Sequence, residues 1–250
     1  MGDHFSQQAA AYSVYRPTYP IELFHYLASL TADKNLAWDC ACGSGQAAIV
    51  LAKYYDVVLA TDISVKQLEN AVSANNLFYM ACKAEGVALR DNSVDLMCVA
   101  QAAHWFDHER FYAEVNRVLK PNGVLALWSY SLMYIANDID DIVSYFYREI
   151  VGEFWPPERK YIEDEYRSLP FPLAELKTPQ FTMELNWTFE HLLGYLQTWS
   201  ATQYYKNTLK RDPIDLIRQQ LLAAWGDPAQ ERRVVWPFFL RVGRSASPST

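Results

Sequence analysis

From residue 36 to residue 130, short apolar runs alternate with stretches whose apolar positions recur every three or four residues. LAWDCA (36–41), VVLATD (57–62), LFYMAC (77–82), VDLMCVAQ (94–101) and GVLALWSY (123–130) are of strand length. Near-continuous apolar runs of this kind mark strands buried on both faces. GQAAIVLAKYY (45–55) predicts a helix. Ser64 and Gln67 stand at capping-box spacing, so a second helix should start there, with Leu68, Ala71 and Val72 as its apolar stripe. Asp107 can cap a third helix whose inner face is Phe111, Val115, Val118 and Leu119, stopped by Lys120-Pro121-Asn122-Gly123. The alternation predicts an α/β fold: a Rossmann-like, doubly wound, mostly parallel sheet with right-handed crossovers.

After Tyr130 the rhythm changes. Residues 131–175 are rich in aromatic and charged residues, with prolines at 156, 157, 170 and 172, and predict a helical insert rather than another strand–helix unit. FTMELNW (181–187) alternates like a strand. Residues 189–205 read as one helix, and Asp212-Pro213 as a cap followed by proline at a first helical position. Ile214, Ile217, Leu221 and Trp225 continue that helix, and Gly226 stops it. RRVVWPFFLRVG (232–243) is a late strand in which Pro237 predicts an edge or a bulge. The chain thus divides into an N-terminal segment (1–35), a core (36–130), an insert with the last strands (131–243) and a disordered tail (244–250).

With 250 residues, 51% hydrophobic, including 8 Trp, 17 Tyr and 12 Phe, there is ample material for a packed core. The formal net charge is −7 and no Lys/Arg run is present, which argues against a nucleic-acid partner. The N-terminus does not read as a secretory signal. The longest apolar-rich stretch, VLALWSYSLMYIA (124–136), is too short and broken to span a bilayer. Cys40 and Cys42 form C-x-C rather than the C-x-x-C of zinc or redox sites. Together with Cys82 and Cys98 they read as buried thiols of a cytoplasmic protein, so no metal is expected.

The chemistry concentrates where the first strand ends. Asp39 closes the apolar run, small residues follow (Ala41, Gly43, Ser44, Gly45), and a helix-like run begins. Small residues let a ligand approach the main chain, and a helix start offers free N–H groups. Gly43 to Ala48 matches G-x-G-x-x-A, and Asp62 lies 19 positions after Gly43 at the end of the second strand, where an acid can hold ribose hydroxyls. NAD is therefore one reading. Asp39 favours another, because a carboxylate in that crevice repels a pyrophosphate and attracts an ammonium or a sulfonium. S-adenosylmethionine carries both cations and no phosphate.

The pattern D-x-[GA]-x-G-x-G, followed by the acid of the second strand, resembles class I S-adenosylmethionine-dependent methyltransferases. FSQQAAAYSVYRPTYP at the N-terminus, AHWFD (103–107), FWPPER (154–159) and LQTWSATQYY (196–205) resemble the trans-aconitate methyltransferase subgroup. The resemblance implies a seven-stranded sheet with an antiparallel late strand, and a helical cap over the substrate. It implies S-adenosylmethionine as cofactor and a small-molecule acceptor, with O-methylation of a carboxylate as the reaction. Asp39 would orient the methionine amino group, Gly43 and Gly45 would let the chain pass close, and Asp62, with Ile63 beside it, would hold the ribose. Ala84 and Glu85 would sit near the adenine, and Gln101 and Ala102 would flank the methionine portion. Tyr12 and Arg16 would fold over the cofactor as a lid. His104 is the one candidate base, needed only if the acceptor is a hydroxyl. Trp105, Trp155, Trp199 and Tyr204 would line the substrate space, with Arg159 the first choice of carboxylate clamp. The same residues have plainer uses: Asp39 and Asp62 as helix caps, the tryptophans as core, Arg159 in a surface ion pair. Ala41 stands where the family has its first glycine, and alanine suits that place only at negative φ. An NAD-dependent oxidoreductase and a cofactor-binding protein without activity are the alternatives.

Overall fold

A computed structural model describes residues 14–246. Tyr12, most of the FSQQAAAYSVYRPTYP segment and residues 247–250 lie outside the described residues, and with them that half of the expected lid.

All five expected central strands form at the expected places: β1 (Leu36–Cys40), β2 (Val57–Asp62), β3 (Leu77–Ala81), β4 (Val94–Ala100) and β5 (Leu119–Tyr130), paired in parallel in the order β3-β2-β1-β4-β5. Two later strands complete a seven-stranded sheet. β9 (Phe238–Arg244) runs antiparallel to β5, and β6 (Ala174–Leu176) pairs antiparallel with β9 at the edge. β6 falls in the stretch expected to be purely helical. It has three residues, too few for a readable alternation.

The late strand of the sequence is two strands in two sheets. β8 (Arg232–Trp236) pairs with β7 (Met183–Trp187) in a separate two-stranded sheet, and the chain crosses to β9 at Pro237. Pro237 has no N–H for either ladder, so the handover occurs where a ladder bond could not form anyway. β9 runs on through Arg244, and Ser245 Oγ donates to the Lys120 carbonyl at 2.6 Å, so the tail starts later than the sequence suggested.

Side chains alternate between the two faces of the sheet. On one face Trp38, Met97, Val99, Leu125 and Leu127 pack under α4 (His108–Val118), in a core that Ile162 of α6 (Lys160–Glu163) joins. On the other, Ala37, Val58, Ala60, Leu96, Cys98, Ala126 and Trp128 pack under α1 (Ile21–Ser29) and α2 (Ala48–Leu51). Two expected caps are present: Ser64 accepts from the Gln67 N–H and opens α3 (Val65–Glu69), and Asp107 accepts from the Arg110 N–H and opens α4. Two helices are shorter than their apolar stripes. α2 covers only the middle of 45–55, and α3 ends before Ala71 and Val72. A third aromatic core holds the second sheet, α5 (Asn137–Tyr145), α7 (Phe189–Gln197), α8 (Ser200–Leu209) and α9 (Arg218–Trp225) together. The expected single helix over 189–205 is broken at Thr198-Trp199, where Trp199 is extended (φ −69°, ψ 135°). Asp212-Pro213 opens a 3-10 turn, Pro213–Leu216, before α9, and Gly226 ends α9 at φ 80°.

Candidate functional site

The C-terminal ends of β1, β2, β3 and β4 face one side of the sheet, and two clefts lie there. The first is a space of roughly 730 Å³ lined by Ala41, Asp62, Ile63, Ala84 and Glu85, all singled out by the sequence, and by Phe106, Asp107 and Arg110 among others. Asp62 closes it structurally. Its two carboxylate oxygens accept the N–H of Gly43 (2.9 Å) and of Ser64 (2.8 Å). Ile63 presents an apolar surface, 46% exposed. Glu85 accepts the Asp107 N–H at 3.0 Å and so ties the cleft wall to the start of α4.

The turn above this cleft runs through positive φ three times, at Ala41 (56°), Gly43 (56°) and Gly45 (84°). The condition under which alanine suits this place, a negative φ, is thus not met. A left-handed alanine costs about 1–2 kcal/mol, a strain the family's glycine avoids. The two glycines serve different ends. A Cβ on Gly45 would come 2.2 Å from the Tyr79 hydroxyl, so the protein's own packing requires glycine there. A Cβ on Gly43 would meet only Gln67 Oε1, at 4.0 Å, so the chain leaves room at that point for something else.

Asp39 does not point into open crevice. It is fully buried on the α1–α2 face of the sheet, between Ala60 and Cys98 in register. Neither oxygen makes a hydrogen bond of full geometry. Burial pushes its pKa up to about 7; the Ala48 N–H pulls it down and the Asp62 charge adds to the rise. A buried carboxyl without a partner is the group that a nearby cation would stabilise most.

The second cleft, roughly 560 Å³, gathers Arg16, Gln101, His104, Trp105, Trp155, Arg159 and Trp199 from every part of the chain. Gln101 is left-handed (φ 57°), turning the chain off β4 so that His104 and Trp105 come to the cleft in the 3-10 turn Ala103–Trp105. Ala102, nearly buried, packs in the core behind them. Arg16 donates to the Tyr130 hydroxyl (3.3 Å) and the Thr198 carbonyl (3.1 Å) and lies over the Tyr195 ring (5.3 Å). Arg159 donates from Nε to the Tyr147 hydroxyl at 2.8 Å, and its guanidinium lies 4.6 Å over the Trp155 ring. Among the described residues it makes no ion pair, contrary to the surface-pair alternative. Tyr147 passes the interaction on, donating to Glu163 at 2.7 Å. Trp155 and Trp199 pack 5.6 Å apart and are wall and core at once. Tyr204 lies apart, in an adjoining groove with Phe154, Trp155 and Glu158. His104 is 5% exposed; burial first, then the Arg159 and His108 charges, hold its pKa down at about 3, so it is a neutral imidazole and a poor base. Tyr130, Tyr147, Tyr166 and Tyr195 were not visible as site residues in the sequence, because a buried tyrosine in an aromatic-rich segment looks like core.

Residues 38–127 match the family model of a methyltransferase domain. The chain is 37% identical over 227 residues to a methyltransferase of Dictyostelium discoideum, covering 89% of this chain and 86% of the relative. The chain belongs to the class I S-adenosylmethionine-dependent methyltransferases. The solved structure of a type II methyltransferase from Anaeromyxobacter dehalogenans superposes on this methyltransferase with a TM-score of 0.86 at 39% identity, covering 93% and 99% of the two chains. An uncharacterized methyltransferase of Mycobacterium tuberculosis is 29% identical over 87% of this chain and 85% of its own. S-adenosylmethionine is the cofactor, and the oxidoreductase alternative falls away. The residues of this methyltransferase fit that cofactor in two respects: an unpartnered buried carboxyl, Asp39, beneath the turn, and open space at Gly43 above it. Among the described residues no group of three His, Cys, Asp or Glu is placed to hold a metal, and no helix is long and apolar enough to cross a membrane.

Proposed function

We propose that this methyltransferase esterifies a small organic acid, joining the methyl group to a carboxylate oxygen, as the resemblance to the trans-aconitate subgroup implies. The observation that carries the reading is Arg159: a guanidinium in the cleft beside His104, with no carboxylate paired to it among the described residues, and with Arg16 lining the same cleft. A planar guanidinium bonds a carboxylate through two parallel N–H groups. Bound S-adenosylmethionine supplies an electrophilic methyl on its sulfonium. The chain's part is placement. Asp62, with Ile63 beside it, takes the ribose hydroxyls, Ala84 and Glu85 sit near the adenine, and Gln101 and Ala102 flank the methionine portion. Asp39 favours its cations through the turn, while Arg16, with Tyr12, closes the N-terminal side. Arg159 and the ring walls of Trp105, Trp155 and Trp199 align the acid for in-line displacement, where orientation is the main source of rate. A carboxylate is ionised near neutral pH and needs no base, which agrees with a neutral His104. The helical part of 131–243 then acts as the substrate cap over the 36–130 core, while the last strands of that segment complete the sheet.

The test is transfer of a labelled methyl group to a panel of mono-, di- and tricarboxylic acids. The expected product is a base-labile methyl ester, and Arg159→Gln should raise KM for the acid while leaving S-adenosylhomocysteine affinity as it is. Turnover confined to acceptors without a carboxylate would sink the proposal.

A further inference from the structure

Arg159 and the ring it lies over are both held by one side chain. Tyr147 follows directly on α5, in a π-helical turn, Phe146–Ile150, where the Val151 N–H reaches back five residues to the Phe146 carbonyl at 3.0 Å. Such turns are rare and concentrate at functional sites. The Tyr147 carbonyl accepts the Trp155 indole N–H at 3.1 Å, and the two rings lie 4.8 Å apart. The Tyr147 hydroxyl accepts the Arg159 Nε–H at 2.8 Å, and the guanidinium lies 5.3 Å from the Tyr147 ring and 4.6 Å from the Trp155 ring. Tyr147 therefore sets the place of the cation and of its aromatic partner together.

The direction of these bonds follows from their chemistry. The Nε–H of a guanidinium only donates, so the Tyr147 oxygen accepts from it. The single proton of the hydroxyl is left for Glu163 Oε1, 2.7 Å away on α6. Burial pushes the Tyr147 pKa up to about 12, so the hydroxyl keeps that proton. The ring is buried and stands edge-on to Trp199 at 5.8 Å, which leaves it no room to swing. A guanidinium can grip a carboxylate with two N–H groups along its side, through Nε and one Nη, or at its end, through both Nη groups. With Nε given to Tyr147, the side grip is already occupied. Among the described residues neither Nη has an acceptor, so the end grip is the one open to a ligand.

We infer that Tyr147 is a positioning residue that fixes Arg159 by its Nε edge, so that a ligand's carboxylate is taken end-on by the two Nη groups.

The ligand part of this rests on the acid substrate proposed above. An arginine not held beforehand has to be ordered when the acid binds, which weakens binding by roughly 2- to 10-fold. It could also offer its Nε side instead of its end. The carboxylate would then sit at a second angle, and its oxygen would leave the line of methyl transfer. Glu163 contributes by engaging the Tyr147 proton, which keeps the lone pairs of the hydroxyl turned to Arg159.

The test has two arms, both on the full chain. In the first, the Arg159 Nε–H signal of a ¹H–¹⁵N spectrum is assigned by its loss in Arg159→Gln, and its exchange with water is timed with no acid present. Tyr147→Phe deletes one oxygen and should speed that exchange by about 10-fold or more. Adding the acid to the unaltered protein should shift the Nη signals and leave the Nε signal in place. In the second arm, KM is measured for the best acid of the carboxylate panel. Tyr147→Phe should raise it roughly 2- to 10-fold, and should raise it no further where Arg159 is already replaced by Gln. The affinity for S-adenosylhomocysteine should stay the same in all three variants. A purely structural role for Tyr147 would act equally in both backgrounds. Unchanged exchange in Tyr147→Phe, a Nε signal that moves with the acid as far as the Nη signals do, an unchanged KM, or an equal rise in both backgrounds would overturn the inference. The exchange measurement needs no acceptor. If no acid is methylated, the carboxylate reading fails, and the exchange still decides whether Tyr147 fixes Arg159.

Discussion

Replacing Asp39 by asparagine should change how stability depends on pH more than it changes stability itself. In the folded chain the Asp39 carboxyl is held at a pKa of about 7, against an ordinary 3.8. Below about pH 4 it is protonated whether the chain is folded or not, and its contribution is fully present. As pH rises from about 4 to about 7 the unfolded chain loses that proton while the folded one keeps it, so stability falls by about 1.4 kcal/mol per pH unit, about 4 kcal/mol over the window. His104 works the other way. Its folded pKa of about 3 lies below the ordinary 6.5, so its contribution is full above pH 6.5 and is lost as pH falls toward 3. Between about pH 4 and 6.5 the two slopes oppose each other and nearly cancel. The intact chain should therefore show a broad plateau as far as these two groups decide it. Asp39→Asn leaves the His104 slope exposed, and stability should climb with pH from about 4 to 6.5. His104→Gln leaves the Asp39 slope, and stability should fall over the same range.

The measurement is urea unfolding at a series of pH values, followed by fluorescence of the 8 tryptophans. An asparagine amide left without partners in the Asp39 site costs about 1–3 kcal/mol, but that moves the whole curve up or down and leaves its slope alone. The decisive quantity is the difference between Asp39→Asn and the unaltered chain. It should shift in favour of the variant by about 1.4 kcal/mol for each pH unit from about 4 to about 7 and then level off. A difference that stays constant from pH 4 to pH 8 would refute the argument that burial outweighs the Ala48 N–H at this carboxyl.

Ala41→Gly removes a left-handed alanine and should stabilise the chain by up to about 1 kcal/mol, part of the relief being offset by the greater freedom of glycine in the unfolded state; for a chain of this size that is about 2–4 °C in Tm by calorimetry. Gly45→Ala drives a Cβ to within 2.2 Å of the Tyr79 hydroxyl and should cost about 1–3 kcal/mol, partly recovered by adding Tyr79→Phe. An additive double variant would show that the clash is not the cause. Gly43→Ala faces open space but puts an alanine at φ 56°, so it should cost about 1–2 kcal/mol in stability and lose cofactor affinity beyond that, read by calorimetric titration with S-adenosylhomocysteine beside a thermal melt. In the Arg159→Gln enzyme, loss of a charge-assisted pair should raise KM for the acid by about 10- to 150-fold, from about 1.5–3 kcal/mol.

What the sequence made legible follows from the range of the interaction that decides each feature. The parallel strands were readable because a strand buried on both faces leaves a continuous apolar run, and Ser64 and Asp107 were readable as caps because a cap bonds a residue three positions on. Pro237 was noticed and misplaced. Its missing N–H says that a ladder is interrupted, but which two ladders meet there depends on β5 and β7, more than fifty residues upstream. Ala41 shows the same limit at the site. The small-residue turn was visible as a ligand cradle, yet Ala41 is left-handed in a turn that is bonded to β2 through the Cys42 and Gly43 N–H groups, partners 19 positions on. Asp39 and His104 were picked for their chemistry, and their protonation was beyond reach, because both pKa values are set by burial that only the assembled sheet supplies. Tyr166 left no mark at all. It is one of 17 tyrosines, in a segment of mixed polarity, and it matters because the fold brings its hydroxyl to 2.9 Å from His104 Nδ1. Residues that carry charge or bend the backbone are visible in one dimension. Residues that direct hydrogen bonds are visible only when both partners are in place, as Tyr166 is beside His104.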